Sequence, residues 1–195
     1  MTPRSPQAQP LTLQVALKEW AVVCAALASG LQTISLRKGG IRDLRGVFSP
    51  EHSTFWLYPT FDHQKAEQLQ PTYHTLLEQV VHHRPRVGQL HMDTFAVVEQ
   101  IRTVSNRDWL KSTLERTIWA ESYVDLRFDY KPQKPLYLLI LRVYRLPTAH
   151  AVQELERYAG CISWVDLEVP LTTAGAEPVL NDLEFARCTA PFTEI

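Results

Sequence analysis

Glycine is scarce in this chain, with seven in 195 residues, and methionine (two) and cysteine (three) are scarcer still. So few glycines leave little for phosphate-cradling loops, and no Gly-x-Ser-x-Gly elbow, P-loop or dinucleotide fingerprint occurs. The cysteines Cys24, Cys161 and Cys188 are odd in number and lack CxxC spacing. Cys24 and Cys161 lie in apolar runs, where a thiol acts as a small hydrophobe. The histidines show neither HxxxH nor HExxH spacing, so no metal and no cofactor is expected. The longest nearly uncharged stretch, Trp20 to Leu36, is interrupted by Ser29, Gly30, Gln32, Thr33 and Ser35, which makes a poor membrane span. The first ten residues are polar and proline-rich rather than a secretory signal, so the expected setting is a soluble, reducing cytoplasm.

What is present suffices for a folded body. Hydrophobic residues make up 45 % and charged residues 21 %, enough for a substantial core in one domain. The net charge of −1 hides an uneven spread. From Asp166 onward six acids face the single base Arg187, which leaves 19 bases against 15 acids in residues 1–165. Such a body suits a phosphate-bearing partner without being an overt nucleic-acid binder. Residues 1–12 read as a disordered arm, 13–170 as a single domain, and 171–195 as a linker and acidic tail.

Hydrophobic spacing sets the expected elements. Leu13, Leu17, Trp20, Cys24 and Leu27 recur at helical steps closed by Gly30, although Val22 and Val23 favour a strand over Trp20 to Leu27. Strands are expected at 32–38, 53–59, 92–103, 123–130, 136–146 and 161–169. Helices are expected around Leu69 to Val80, from Asp108 to Ala120 under a cap by Ser105 or Asn106, and from Thr148 to Gly160. This mixture predicts an α+β fold with a largely antiparallel sheet or a small barrel.

The segment from Gly30 to Arg45 carries the clearest chemical signal. Arg37 and Lys38 precede a Gly39-Gly40 turn, and Arg42 and Arg45 follow with only Asp43 opposing them. Backbone amides and cations can converge there on an anion, Arg37 as a bidentate donor and Lys38 as a point charge. The competing reading is a solvated hairpin tip. Two enzymatic alternatives exist. Glu51, His52 and His63 could form an acid/base or hydrolase site. Asp129-Tyr130-Lys131, with Glu121 or Asp108, matches the acid and D/ExK pattern of metal-dependent nucleases. Tyr144 and Arg142 share a strand face that could stack a ligand, whereas Trp109 and Trp119 read as core anchors. A protein-interaction module acting through the acidic tail is a third class.

Two resemblances add to this. Ala-Leu-Lys-Glu-Trp (16–20), Leu-Arg-Lys-Gly-Gly-Ile (36–41), Glu51-His52, Pro59-Thr60, His63-Gln64, Leu-Arg-Val-Tyr-Arg-Leu-Pro (141–147) and Gly-Cys-Ile-Ser-Trp-Val (160–165) resemble the signature of an uncharacterised bacterial and archaeal domain-of-unknown-function family. More distantly, Gly30, Thr33 and Arg37 fall at the offsets of the Gly-x-Lys-x-x-Glu-x-Arg motif of ASCH domains in the PUA-like superfamily. Gln32 stands where that motif has lysine and Ser35 where it has glutamate, which removes residues tied to amide hydrolysis and leaves binding. The ASCH resemblance implies a module for RNA or a modified nucleotide. Arg37, Lys38, Gly39 and Gly40 would take phosphate, Thr33 would donate a hydrogen bond, and Trp20 or Trp56 would offer a stacking face.

Overall fold

The structure is a computed structural model that describes residues 10–38, 41–44, 47–50, 52–160 and 162–193, with backbone alone over 41–44 and 47–50. The fold is α+β. Its strands are β1 (Thr12–Trp20), β2 (Ile34–Arg37), β3 (Ile41–Leu44), β4 (Val47–Pro50), β5 (Thr54–Thr60), β6 (Gln89–Val104), β7 (Leu136–Gln153), β8 (Trp164–Thr172) and β9 (Glu177–Pro178). The helices are α1 (Ala21–Ala28), α2 (His74–His82), α3 (Arg107–Ser112), α4 (Glu121–Asp129) and α5 (Asp182–Thr193). Seven strands form one sheet in the order β2-β7-β6-β5-β1-β8, with β9 on β7 beyond the end of β2, and β3 pairs β4 separately. Every pairing among the described residues is antiparallel except β1 with β5.

The sheet is open in its hydrogen bonding, yet it curls. Ser35 and Arg37 of β2 both reach Glu19 of β1, with three strands between them in the pairing order. Both faces are covered. Phe55 and Leu57 of β5 enter one core cluster with α1 and α4, and the alternate Trp56 and Tyr58 enter a second with Phe95, Leu146 and Tyr158. This period of two, apolar in both phases, marks a strand buried on both sides.

The same burial explains where helical spacing misleads. Residues 13–20 are strand rather than the first half of a helix, because Ala16 and Leu17 of β1 point into opposite cores. The helix occupies only Ala21–Ala28. Residues 121–129 form α4, not a strand, and the apparent alternation of Phe128 and Tyr130 spans too few residues to decide. Asp125 and Asp129, one helical turn apart, both meet Arg107, and Asp125 also meets Lys111. Burdened by those cations, the Asp125 carboxyl is held below its ordinary value, first by Lys111 and then by Arg107. Instead of a helix from Thr148, β7 runs on to Gln153 against Gln89, and a single 3-10 turn follows at Glu156–Tyr158. Asn106 caps α3, accepting from the Trp109 amide at 3.0 Å as expected.

The segment after 171 packs on the sheet. The Thr173 amide donates to Leu11 O at 3.0 Å and β9 pairs Tyr144 and Arg145. Phe192 of α5 is fully buried in the main core, and Asp182 pairs with Arg142, whose guanidinium covers the Phe185 ring. Apolar side chains at 179, 185 and 192 outweigh the acidity of this stretch in deciding its placement. No helix among the described residues is long and apolar enough to cross a membrane.

Candidate functional site

A cleft of about 590 Å³ opens where β1 and β5, the parallel pair, end side by side. Carboxyl ends of parallel strands leave such crevices because the chains diverge there. β1 turns into α1 after Trp20, while β5 runs into the loop 61–65, and Thr60 Oγ1 donates to Glu19 O at 3.0 Å. His63 adopts φ +64°, and beside it Gln64 accepts from the Val22 amide at 2.8 Å. Gln64 thus caps α1 from another part of the chain and fixes the cleft rim to that helix.

The lining is cationic and aromatic. Lys18, Arg37, Arg84, Arg86 and Arg127 face the cleft with Glu19, Asp62 and Glu154, together with His63. Trp20, Tyr58, Phe61 and Tyr123 supply rings. Trp20 meets Tyr123 edge-on at 5.5 Å, and Tyr123 stacks on the buried Trp119 at 4.8 Å. Burial pushes the Tyr123 phenol up to about 12, an effect Arg127 partly opposes. Arg84 lies over the Phe61 ring at 4.9 Å. Lys18 Nζ donates to Tyr158 O and, at 3.1 Å, to Gly160 O, which ties the loop after β7 to β1. Tyr58 donates to Glu154 at 3.0 Å, and burial followed by that carboxylate raises its phenol well above the ordinary value.

Glu19 is the centre of the floor. Its side chain is 8 % exposed, and its carboxylate accepts from Ser35 Oγ at 2.8 Å, the Trp20 amide at 3.0 Å and Arg37 Nη1 at 3.4 Å. Arg37 Nη1 also donates to Lys18 O at 3.1 Å. Arg37 therefore lines the cleft, but it does so clamped to the protein's own carboxylate rather than as a loose anion hook.

The other residues singled out in the sequence scatter. Lys38 donates to Phe128 O at 2.7 Å, outside the cleft lining, and burial and Arg127 lower its ammonium from the ordinary value. Thr33 is buried under α5 with Gly30 and Leu180, and its Oγ1 finds no partner among the described residues. It is no ligand of the cleft. Trp56 is fully buried and donates to Leu13 O at 3.1 Å, whereas Trp20 lines the cleft. Gly39, Gly40, Arg45 and Glu51 lie outside the described residues, as does the Arg42 side chain.

Neither enzymatic constellation assembles among the described residues. His52 packs edge-on against Trp164 at 5.1 Å, away from the cleft that His63 lines. Asp129 closes α4 in contact with Arg107, and Lys131 turns back over the Tyr130 ring. Neither lies on the strand that a D/ExK core requires. No group of three or more His, Cys, Asp or Glu side chains among the described residues could hold a metal. Tyr144 stacks on Phe95 and Arg142 is committed to Asp182 and Phe185, so that strand face is already covered.

Lys18, Glu19, Arg84, Arg86, Tyr123 and Arg127 were not singled out by sequence reasoning. Two signals pointed near them. Lys18 and Glu19 fall inside the Ala-Leu-Lys-Glu-Trp string, and Arg84 and Arg86 close the basic run 82–86.

Among solved structures, the chain is similar to the ASCH protein of Zymomonas mobilis, with 16 % identity and a TM-score of 0.40 over 93 % of this chain and 94 % of that one. A single-residue variant of the same protein gives 15 % identity and a TM-score of 0.42 over 90 % and 94 %. No curated protein matches the sequence. Residues 16–190 match the family described as Domain of unknown function (DUF1802), which takes in every cleft-lining residue discussed above. On that match, spanning nearly the whole chain, the protein belongs to the DUF1802 family.

Proposed function

We propose that the cleft binds single-stranded RNA or a modified nucleotide. The observation that carries this reading is its composition: five lysine and arginine side chains against three carboxylates, with Trp20 and Phe61 among the partly buried rings. Phosphate seeks the cations and a base seeks a ring face, and a groove holding both suits a nucleotide strand. At about 590 Å³ the volume lies in the range of small-ligand sites. Arg84 and Arg86 stand exposed at the rim, where they meet phosphate without breaking, among the described residues, an ion pair such as the one Arg37 holds.

Fluorescence anisotropy with short single-stranded RNA and DNA, at about 50 and about 200 mM salt, tests the reading. Binding that weakens with salt, and weakens further in Arg84→Ala/Arg86→Ala, is the expected result. An absence of binding at the lower salt, or identical affinity in the double variant, overturns it.

A further inference from the structure

Resting on the reading of the cleft as a nucleotide site, we infer that its ligand is a strand of three or more nucleotides, held by three aliphatic–cationic couples around the mouth. Each couple comes from a different wall. Leu126 stands next to Arg127 on α4, and Val87 next to Arg86 in the loop between α2 and β6. The third joins Ile162 to Lys18 of β1. The Lys18 Nζ donates to Gly160 O at 3.1 Å and its amide to Ser163 O at 2.9 Å, so Ile162 is bracketed against it. All six residues border the cleft.

The aliphatic members contribute little to the fold. Val87 is 96 % exposed, Leu126 46 % and Ile162 45 %. Val87 takes the second place of a four-residue turn, closed by the Gln89 amide donating to Arg86 O at 2.9 Å, with Gly88 at φ +81°. Proline and small polar residues are usual in such turns. The Glu154 amide donates to Gly88 O at 2.9 Å, which ties the turn to the end of β7 and holds the valine outward.

A nucleotide presents the same two chemistries, an apolar base face and a phosphate. Aliphatic side chains pack on or between bases, and a cation beside each meets the adjoining phosphate. A single nucleotide satisfies one wall, whereas a strand satisfies all three. An acidic peptide shares the charge, but an extended peptide gains most from a free strand edge, and β1 and β5 are interior strands.

Anisotropy displacement by uridine and adenosine oligomers of one, three and five units, at about 50 mM salt, measures the length dependence. The trimer of either base is expected to bind about 100-fold more tightly than the monophosphate. A trimer of abasic units, which keeps the phosphates, is expected to bind about 10-fold or more weakly than the intact trimer. Val87→Ser/Ile162→Ser is expected to weaken the intact trimer about 10-fold, with the melting temperature and the slope of log K against log salt unchanged. A trimer no tighter than the monophosphate, an abasic trimer as tight as the intact one, or an unaltered serine double variant overturns the strand assignment and leaves the cleft a nucleotide site. Binding of a leucine- and glutamate-rich peptide in place of any oligomer overturns it in favour of a protein partner. Failure of every oligomer, together with a failure to bind RNA, overturns the nucleotide reading itself.

Discussion

Glu19 and Arg37 meet at 3.4 Å across a curled sheet, from strands four places apart in its hydrogen-bonding order. The pair holds the rim of β2 over the end of β1 and so shapes the cleft floor. Both groups are mostly withdrawn from water, at 8 % and 16 % side-chain exposure. Removing one partner leaves the other desolvated and without its counter-charge.

Arg37→Ala is therefore expected to cost roughly 3 kcal/mol in urea unfolding, well beyond the loss of an exposed ion pair. Glu19→Gln/Arg37→Gln is expected to cost less than the sum of the two single changes, because the charge left uncompensated in each single variant is absent from the double. Additive losses would show that the two side chains act independently.

Gly30 combines φ +72° with a close approach to α5, such that an added Cβ would lie 2.6 Å from Leu180 Cδ2. Gly30→Ala is expected to lose roughly 2 kcal/mol, part from the left-handed backbone and part from displacing Leu180. Thermal melting reads this directly, and an unchanged Tm would contradict the placement of Leu180.

Phe192 is fully buried near the end of α5. Phe192→Ala is expected to lower stability by roughly 3–5 kcal/mol, a core-sized loss. A loss below ~0.5 kcal/mol, the size of a surface substitution, would mean that α5 melts separately from the sheet.

Tyr123 gives the protein an alkaline limit. Its phenol is raised from 10.0 to about 12, so the unfolded chain releases that proton before the folded one does. The stability from the neutral buried ring is whole below pH 10.0 and is lost as the pH rises through about 12. Melting temperature followed across that window should fall less steeply in Tyr123→Phe, with Tyr58, raised for the same reason, keeping part of the slope.

For RNA binding, Arg84→Ala/Arg86→Ala is expected to reduce the slope of log K against log salt by roughly 1.4, the contribution of two phosphate contacts to a single strand. Folding stability should stay unchanged, since both side chains are exposed. An unaltered slope would remove these arginines from the interface.

Residue types and spacing by themselves determined the α+β class, the central strand at Leu136–Leu146, the Asn106 cap and the cationic character near Arg37. Each of these depends on local pattern: an apolar run, a capping offset, a cluster of like charge. Tertiary structure alone decided that β1 is strand up to Trp20, since period-two burial in two cores and helical steps coincide over so short a stretch. It also decided the site. Glu19, Arg84 and Arg127 lie far apart in the chain and share one cleft because the sheet curls, α4 packs beside β2 and the loop after α2 returns to the same rim. Lys38 and Thr33 were lost to it for the same reason: which way a side chain faces depends on long-range packing that no local spacing encodes.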